Sequence, residues 1–143
     1  NEGTYLKNDL ESRLDVMRKN LSKIAELSSK VVENHRESLF KRLSASGLDL
    51  DISDERVIKE IGIFAERCDI TEEITRLESH FAQSEKYFNN EGSVGRPLDF
   101  LVQEMSRELN TIGSKANDAE IAQTIVETKT ELEKIREQVQ NVE

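Results

Sequence analysis

The strongest structural pattern in this 143-residue sequence lies at residues 10–35, which read LESRLDVMRKNLSKIAELSSKVVENH. Within it, one set of positions recurs at alternating spacings of four and three residues: Leu10, Leu14, Met17, Leu21, Ile24, Ser28, Val31 and His35. This alternation is typical of the heptad seam of a coiled-coil-like helix, whose outer positions carry charged residues. Neither Gly nor Pro interrupts residues 4–46. The pattern therefore predicts one helix over 4–46, about 60 Å long, with His35 as a polar residue that sets its register.

The remaining sequence predicts four further helices, over 54–68, 70–89, 97–112 and 118–142. Gly47 is expected to close the first helix, and Asp69 and Glu72 have the spacing of a capping box before the third. The last helix has a second heptad seam, made of Ile121, Ile125, Thr128, Leu132, Ile135, Val139 and Val142. No strand-like alternation of useful length is present. We therefore predict an all-α fold with elongated helices, in which 70–89 and 97–112 form a central hairpin between the long first and last helices.

The composition excludes several classes of protein. A net charge of −9, from 20 basic and 29 acidic residues, argues on its own against nucleic-acid binding. Cys68 is the one cysteine, so an internal disulfide is excluded, and its place on an apolar stripe predicts a core residue. No apolar run approaches the roughly 20 residues that cross a bilayer. A cytoplasmic protein without a membrane partner is the expectation.

The polar residues of the predicted hairpin are harder to explain as ordinary surface. Glu73, Arg76 and His80 share one helix face, because residues 73 to 80 span nearly two turns. Glu104 and Glu108 are stacked four residues apart, a spacing that is mildly destabilising for two like charges without a cation between them. Carboxylate oxygens with an imidazole suit Mg²⁺ or Mn²⁺. The ordinary alternative is a network of ion pairs with neighbouring arginines.

From residue 69 onward the sequence resembles the bacterial YicC/YloC family. Six segments carry the resemblance: DITEE (69–73), RLESH (76–80), GRPLDFLVQE (95–104), RELNT (107–111), GSK (113–115) and IREQVQNVE (135–143). The resemblance implies a divalent-metal-dependent endoribonuclease that acts on bacterial RNA and assembles as a hexamer. It also implies that residues 1–143 are a single helical domain, the C-terminal half of a longer chain, and that this part alone is inactive if the other half is needed.

The family's polar motif residues include each hairpin residue singled out above, which favours a genuine site there. We expect the catalytic residues to be His80, Glu104 and Glu108. The expected ligands of a divalent cation, Mn²⁺ or Mg²⁺, are Glu73, Glu104 and Glu108. The expected RNA-binding residues are Arg76, Arg96, Arg107, Asn110 and Lys115. DNA is not expected as a partner.

A second interpretation rests on the two seams alone and belongs to another class of protein. It is a non-catalytic coiled-coil scaffold that serves oligomerisation or partner binding. Both interpretations predict a homo-oligomer, because Leu6, Leu27 and Val32 widen the first stripe beyond what one partner helix covers.

Overall fold

A computed structural model describes residues 2–47, 53–89 and 95–142, and these ranges contain only helices. The five helices are α1 (Glu2–Ala45), α2 (Glu55–Cys68), α3 (Thr71–Phe88), α4 (Gly95–Lys115) and α5 (Ala119–Val142). The predicted all-α class is confirmed. Over the same residues, no helix combines the length and hydropathy that crossing a bilayer requires.

Four of the helices form a closed bundle. Helix α1 packs against both α3 and α5, and α4 packs between those two on the opposite side. The contact of Asn110 with Lys129, and the approach of Gly113 to Ile125, show that α4 and α5 run antiparallel. The long first and last helices thus pack on each other within one chain.

The core of the bundle is built from the predicted stripes. On α1, the side chains of Leu14, Met17 and Ile24 are fully buried, and on α5 so are those of Ile121 and Ile135. Helix α4 contributes a buried apolar face as well: Leu98, Leu101, Val102, Met105, Leu109 and Ile112. The partners that cover the α1 seam therefore come from the same chain.

Helix α2 packs on the C-terminal part of α1, outside the bundle. The imidazole of His35 stacks on the ring of Phe64, with centroids 3.6 Å apart and planes 7° from parallel. Its Nε2 atom is 3.9 Å from Oε1 of Glu60, beyond hydrogen-bond distance. His35 thus fixes α1 against α2. Gly47, at φ 81°, follows the end of α1 as predicted, since glycine takes this left-handed conformation without strain.

Two local predictions are corrected. Helix α4 continues through Gly113 to Lys115, past the predicted end at residue 112. Lys115 in this extension has partners on α3 and just before it, which favours the longer helix. The predicted capping box is wrong. Asp69 Oδ1 accepts hydrogen bonds from the amide and the hydroxyl of Thr71, at 3.0 and 2.6 Å, and Glu72 instead lies 3.6 Å from Arg76. The helix begins one residue later than the box requires.

Substitution of Leu14 tests whether the α1 seam is satisfied within the chain. We expect Leu14→Ala to lower the free energy of unfolding by about 2–5 kcal/mol, the usual cost of such a cavity. Val16→Ala is the control on the same helix, at a side chain that is 40% exposed, and should change it by no more than about 0.5 kcal/mol. Urea denaturation measures both. A loss that depends on protein concentration would instead place Leu14 between subunits.

Candidate metal centre

Two ion pairs fix how α3 lies against α4. Lys115 Nζ is 2.8 Å from Oε1 of Glu73, and Arg76 Nε is 3.0 Å from Oε1 of Glu108. Residue numbers rise along α3 as they fall along α4, so the two helices are antiparallel and form the predicted hairpin. This register continues to the next turn, where it places His80 of α3 opposite Glu104 of α4.

His80, Glu104 and Glu108 form a compact group, the trio. One nitrogen or oxygen atom from each of them lies within 4.8 Å of the others. Two atoms that each sit about 2.0–2.6 Å from one ion are at most about 5 Å apart, so the trio is within the span of a single cation. Three of the four residues proposed from the sequence as ligands or catalytic groups are brought together here.

Two atoms of the trio are buried without a hydrogen-bond partner. They are Nδ1 of His80 and Oε2 of Glu108, whose residue is only 4% exposed. Buried polar atoms are hydrogen-bonded in the great majority of cases, because an unsatisfied one costs about 1–3 kcal/mol. An imidazole nitrogen and carboxylate oxygens are also the donor set that Mn²⁺ and related divalent ions accept. The residues present therefore fit a divalent cation.

Glu73, the fourth residue, has one oxygen paired with protein cations, while its other oxygen, Oε2, is buried without a hydrogen-bond partner. Its Oε1 atom takes the ammonium of Lys115 at 2.8 Å, and Arg76 lies 3.7 Å from the same oxygen. Burial by itself would raise the pKa of Glu73, but the hydrogen bond from Lys115 and the charges of both cations outweigh it, and the pKa is lowered. Glu73 is therefore a buried carboxylate compensated by protein cations, separate from the trio.

Arg76 also compensates the negative charge of neighbouring carboxylates. Besides Glu108, its guanidinium lies 3.6 Å from Glu72 and 3.7 Å from Glu73, while 48% of its side chain stays exposed. Sequence analysis gave it a role in holding RNA phosphate. In the structure its Nε atom serves one oxygen of Glu108, which leaves the other oxygen of that carboxylate facing no protein donor.

The other predicted RNA-binding residues are placed differently from one another. Arg107 is 77% exposed and lies 3.9 Å from Oε1 of Glu104, so its guanidinium flanks the trio. Lys115 bridges Glu73 and the carbonyl of Asp69. Asn110 accepts a hydrogen bond from Lys129 of α5. The side chain of Arg96 lies outside the described residues.

The sequence matches a known family over most of its length. A family model described as "Endoribonuclease YicC-like, C-terminal" matches residues 24–143. The chain belongs to this family. The match includes every residue of the trio and both ion pairs that set the register of α3 on α4.

Two members of the YicC-like family illustrate the relationship. A protein named probable endoribonuclease YicC from Clostridioides difficile is 47% identical over 143 residues. A protein of the same name from Haemophilus influenzae is 37% identical over 142 residues. Each alignment covers 99% of this chain and 49% of the relative, so the chain spans about half the length of these curated relatives.

Sequence reasoning did not find the split between the trio and the Glu73–Lys115 pair. The sequence shows acidic and basic residues on two facing helices. It does not show which carboxylate pairs with which cation. Ser84 was also missed. Its side chain is buried, and its hydroxyl donates to the backbone carbonyl of His80 at 2.8 Å within α3.

The Glu73–Lys115 pair generates a pH-dependent prediction. Lys115→Met should lower the free energy of unfolding at pH 7 by about 1–3 kcal/mol, less than for a fully buried pair because Lys115 is partly exposed. Because the pKa of Glu73 is lowered by folding, the stabilisation is present above the unfolded pKa of about 4.3 and is lost as the pH falls through the folded pKa. The difference in the free energy of unfolding between wild type and Lys115→Met should therefore shrink as the pH falls below about 4.3.

Urea denaturation between pH 7 and pH 3 measures this difference. The matched control is Lys23→Met, at an exposed lysine of α1, which should change stability little at any pH. A deficit in Lys115→Met that stays constant over the whole range would contradict the assignment of the lowered pKa to this pair.

Proposed function

We propose that this chain is the helical part of a divalent-metal-dependent endoribonuclease that cleaves RNA phosphodiester bonds in the bacterial cytoplasm. Two observations support the proposal: membership of the YicC-like family, and the trio with its two unpartnered buried atoms. His80, Glu104 and Glu108 would hold the cation, with Mn²⁺ or Mg²⁺ as the expected ion. A bound divalent ion supplies Lewis acidity toward a phosphoryl oxygen or an attacking water.

The chain's own residues would divide the remaining work. His80 would serve either as a ligand of the cation or as the group that moves a proton at the reacting phosphate, and the carboxylates would bind the ion or orient the attacking water. Arg107 is free on its outer side to meet a phosphate, and a guanidinium is well suited to that contact. Arg76 would act on the reaction indirectly, because it orients Glu108 through their 3.0 Å hydrogen bond. Glu73 and Lys115 would support the hairpin, and Asn110 would support the packing of α4 on α5.

The argument for a non-catalytic scaffold is weaker in the structure than it was from the sequence. The scaffold interpretation rested mainly on the two seams, and the apolar residues of both seams whose side chains the structure describes are buried within the bundle. Assembly as a homo-oligomer, with six copies as the resemblance implies, stays part of the proposal. It now rests on exposed apolar side chains outside the seams, among them Tyr5 and Ile58, which are 82% and 55% exposed.

Metal binding can be tested on the chain without any substrate. Mn²⁺ should raise the Tm, because an ion bound only by the native state at about one hundred times its Kd stabilises by about 2.7 kcal/mol. The double variant Glu104→Gln, Glu108→Gln should lose this response. Glu133→Gln, Glu137→Gln is the matched control, with the same spacing on exposed positions of α5. Equal Mn²⁺ shifts in both double variants would refute the assigned ligands.

Catalysis should be tested on the full natural chain with a structured RNA. We expect cleavage in Mn²⁺, none in a chelator, and a rate lower by about 100-fold or more in Glu104→Gln, Glu108→Gln, since a catalytic ion supplies several kcal/mol. The α5 double variant should cleave as wild type does. Gel analysis of end-labelled RNA gives the rates. Unchanged cleavage by the trio variant would exclude this site.

A further inference from the structure

A groove lies between α3 and α4, toward the loop end of the hairpin from the trio. Its volume is about 550 Å³, and the described residues that line it are Gln83, Lys86, Tyr87, Pro97, Phe100 and Leu101. Pockets that take small organic groups have volumes of about 300–1,000 Å³, so the groove has room for a base with its ribose.

The groove continues the same face of the hairpin that holds the trio. On α3, Gln83 and Tyr87 follow His80 at three and seven residues, which keeps them on one side of the helix. On α4, Phe100 precedes Glu104 by four residues, or about 6 Å along the axis. Because the helices are antiparallel, both sets of residues extend from the trio in the same direction. A strand whose phosphate lies at the trio would meet the groove with a neighbouring nucleotide.

The side chains of the groove suit a nucleobase. Phe100 is 61% exposed, although it stands next to Leu101, which is only 4% exposed and forms the floor. Tyr87 and Pro97 are half-buried and give the walls. Lys86 and Gln83 are exposed at the rim, where an ammonium meets a phosphate and an amide meets a base edge. An exposed ring with a cation beside it is the usual platform on which single-stranded RNA stacks.

We propose that this groove is a base-binding subsite, in which Phe100 stacks on the base of a nucleotide next to the scissile phosphate of a single-stranded RNA. The proposal rests on the proposed function for the identity of the ligand. It commits to RNA over a second copy of the chain for two reasons. The groove lies on the same face of the hairpin as the trio, and the ammonium of Lys86 on its lining complements phosphate in a chain that is acidic overall. Stacking of this kind tolerates every base, so the subsite contributes affinity and position with little sequence preference.

Binding of a labelled 2′-O-methyl oligoribonucleotide in Mn²⁺ tests the subsite independently of cleavage. Fluorescence anisotropy with the full natural chain gives the Kd. Phe100→Ala should raise the Kd about 5- to 10-fold, toward the lower end of the range for one base–aromatic stack. Phe100→Tyr should bind as wild type does, because the ring is kept, whereas Phe100→Leu should bind as weakly as the alanine variant. Val126→Ala, at an equally exposed apolar residue of α5, is the matched control and should leave the Kd unchanged.

Single abasic substitutions in the oligonucleotide then locate the base. One abasic position should weaken binding to wild type and have no further effect on Phe100→Ala, because the same stack is already lost. An unchanged Kd for Phe100→Ala, wild-type affinity for Phe100→Leu, or a smaller sedimenting species for Phe100→Ala would each overturn the proposal, the last because the ring would then be a subunit contact. RNA that binds in this pattern without being cleaved would refute the proposed function and leave the subsite standing.

Discussion

Helix α1 carries an apolar stripe from Leu10 to Val31 that a single neighbouring helix cannot cover, because the flanking Leu6 and Leu27 widen it. In the structure, α3 covers one side and α5 the other, and α4 fills the space between them. Burying each large side chain stabilises the fold by about 1.5–3 kcal/mol, which makes this arrangement strongly favoured over an exposed stripe. As a consequence α3 and α4 lie side by side, and the candidate site exists only where they meet.

The register of α3 on α4 depends on two buried carboxylates, each of which has one oxygen paired with a cation. Removing such charges from water is costly, so these pairs are weak evidence for stability. They do have a consequence for the site. A slide of one helix past the other would separate Glu73 from Lys115 and Glu108 from Arg76 together. Only one oxygen of Glu108 is used by Arg76, and the other remains available beside His80.

Charge distribution reconciles an acidic chain with an RNA substrate. A net charge of −9 disfavours long-range attraction of a polyanion, yet local charge decides contacts at short range. On the proposed function, Arg107 flanks the trio on one side and Lys86 borders the groove on the other, while a divalent ion offsets Glu104 and Glu108. Further attraction for RNA would come from outside these helices. Affinity should then depend more on the metal and on base stacking than on the overall charge.

The sequence by itself determined the helices, the stripes that became the core, and the residues worth considering as a site, since 3.6-residue periodicity and capping chemistry are local. From spacing on two helices it singled out five polar residues: Glu73, Arg76, His80, Glu104 and Glu108. It could not show that Glu73 is taken by Lys115, that α4 extends through Gly113, or that Phe100 borders a groove. Each of those outcomes depends on how far one helix slides and rotates against another. That is fixed by packing between residues distant in sequence, and no spacing within one helix encodes it.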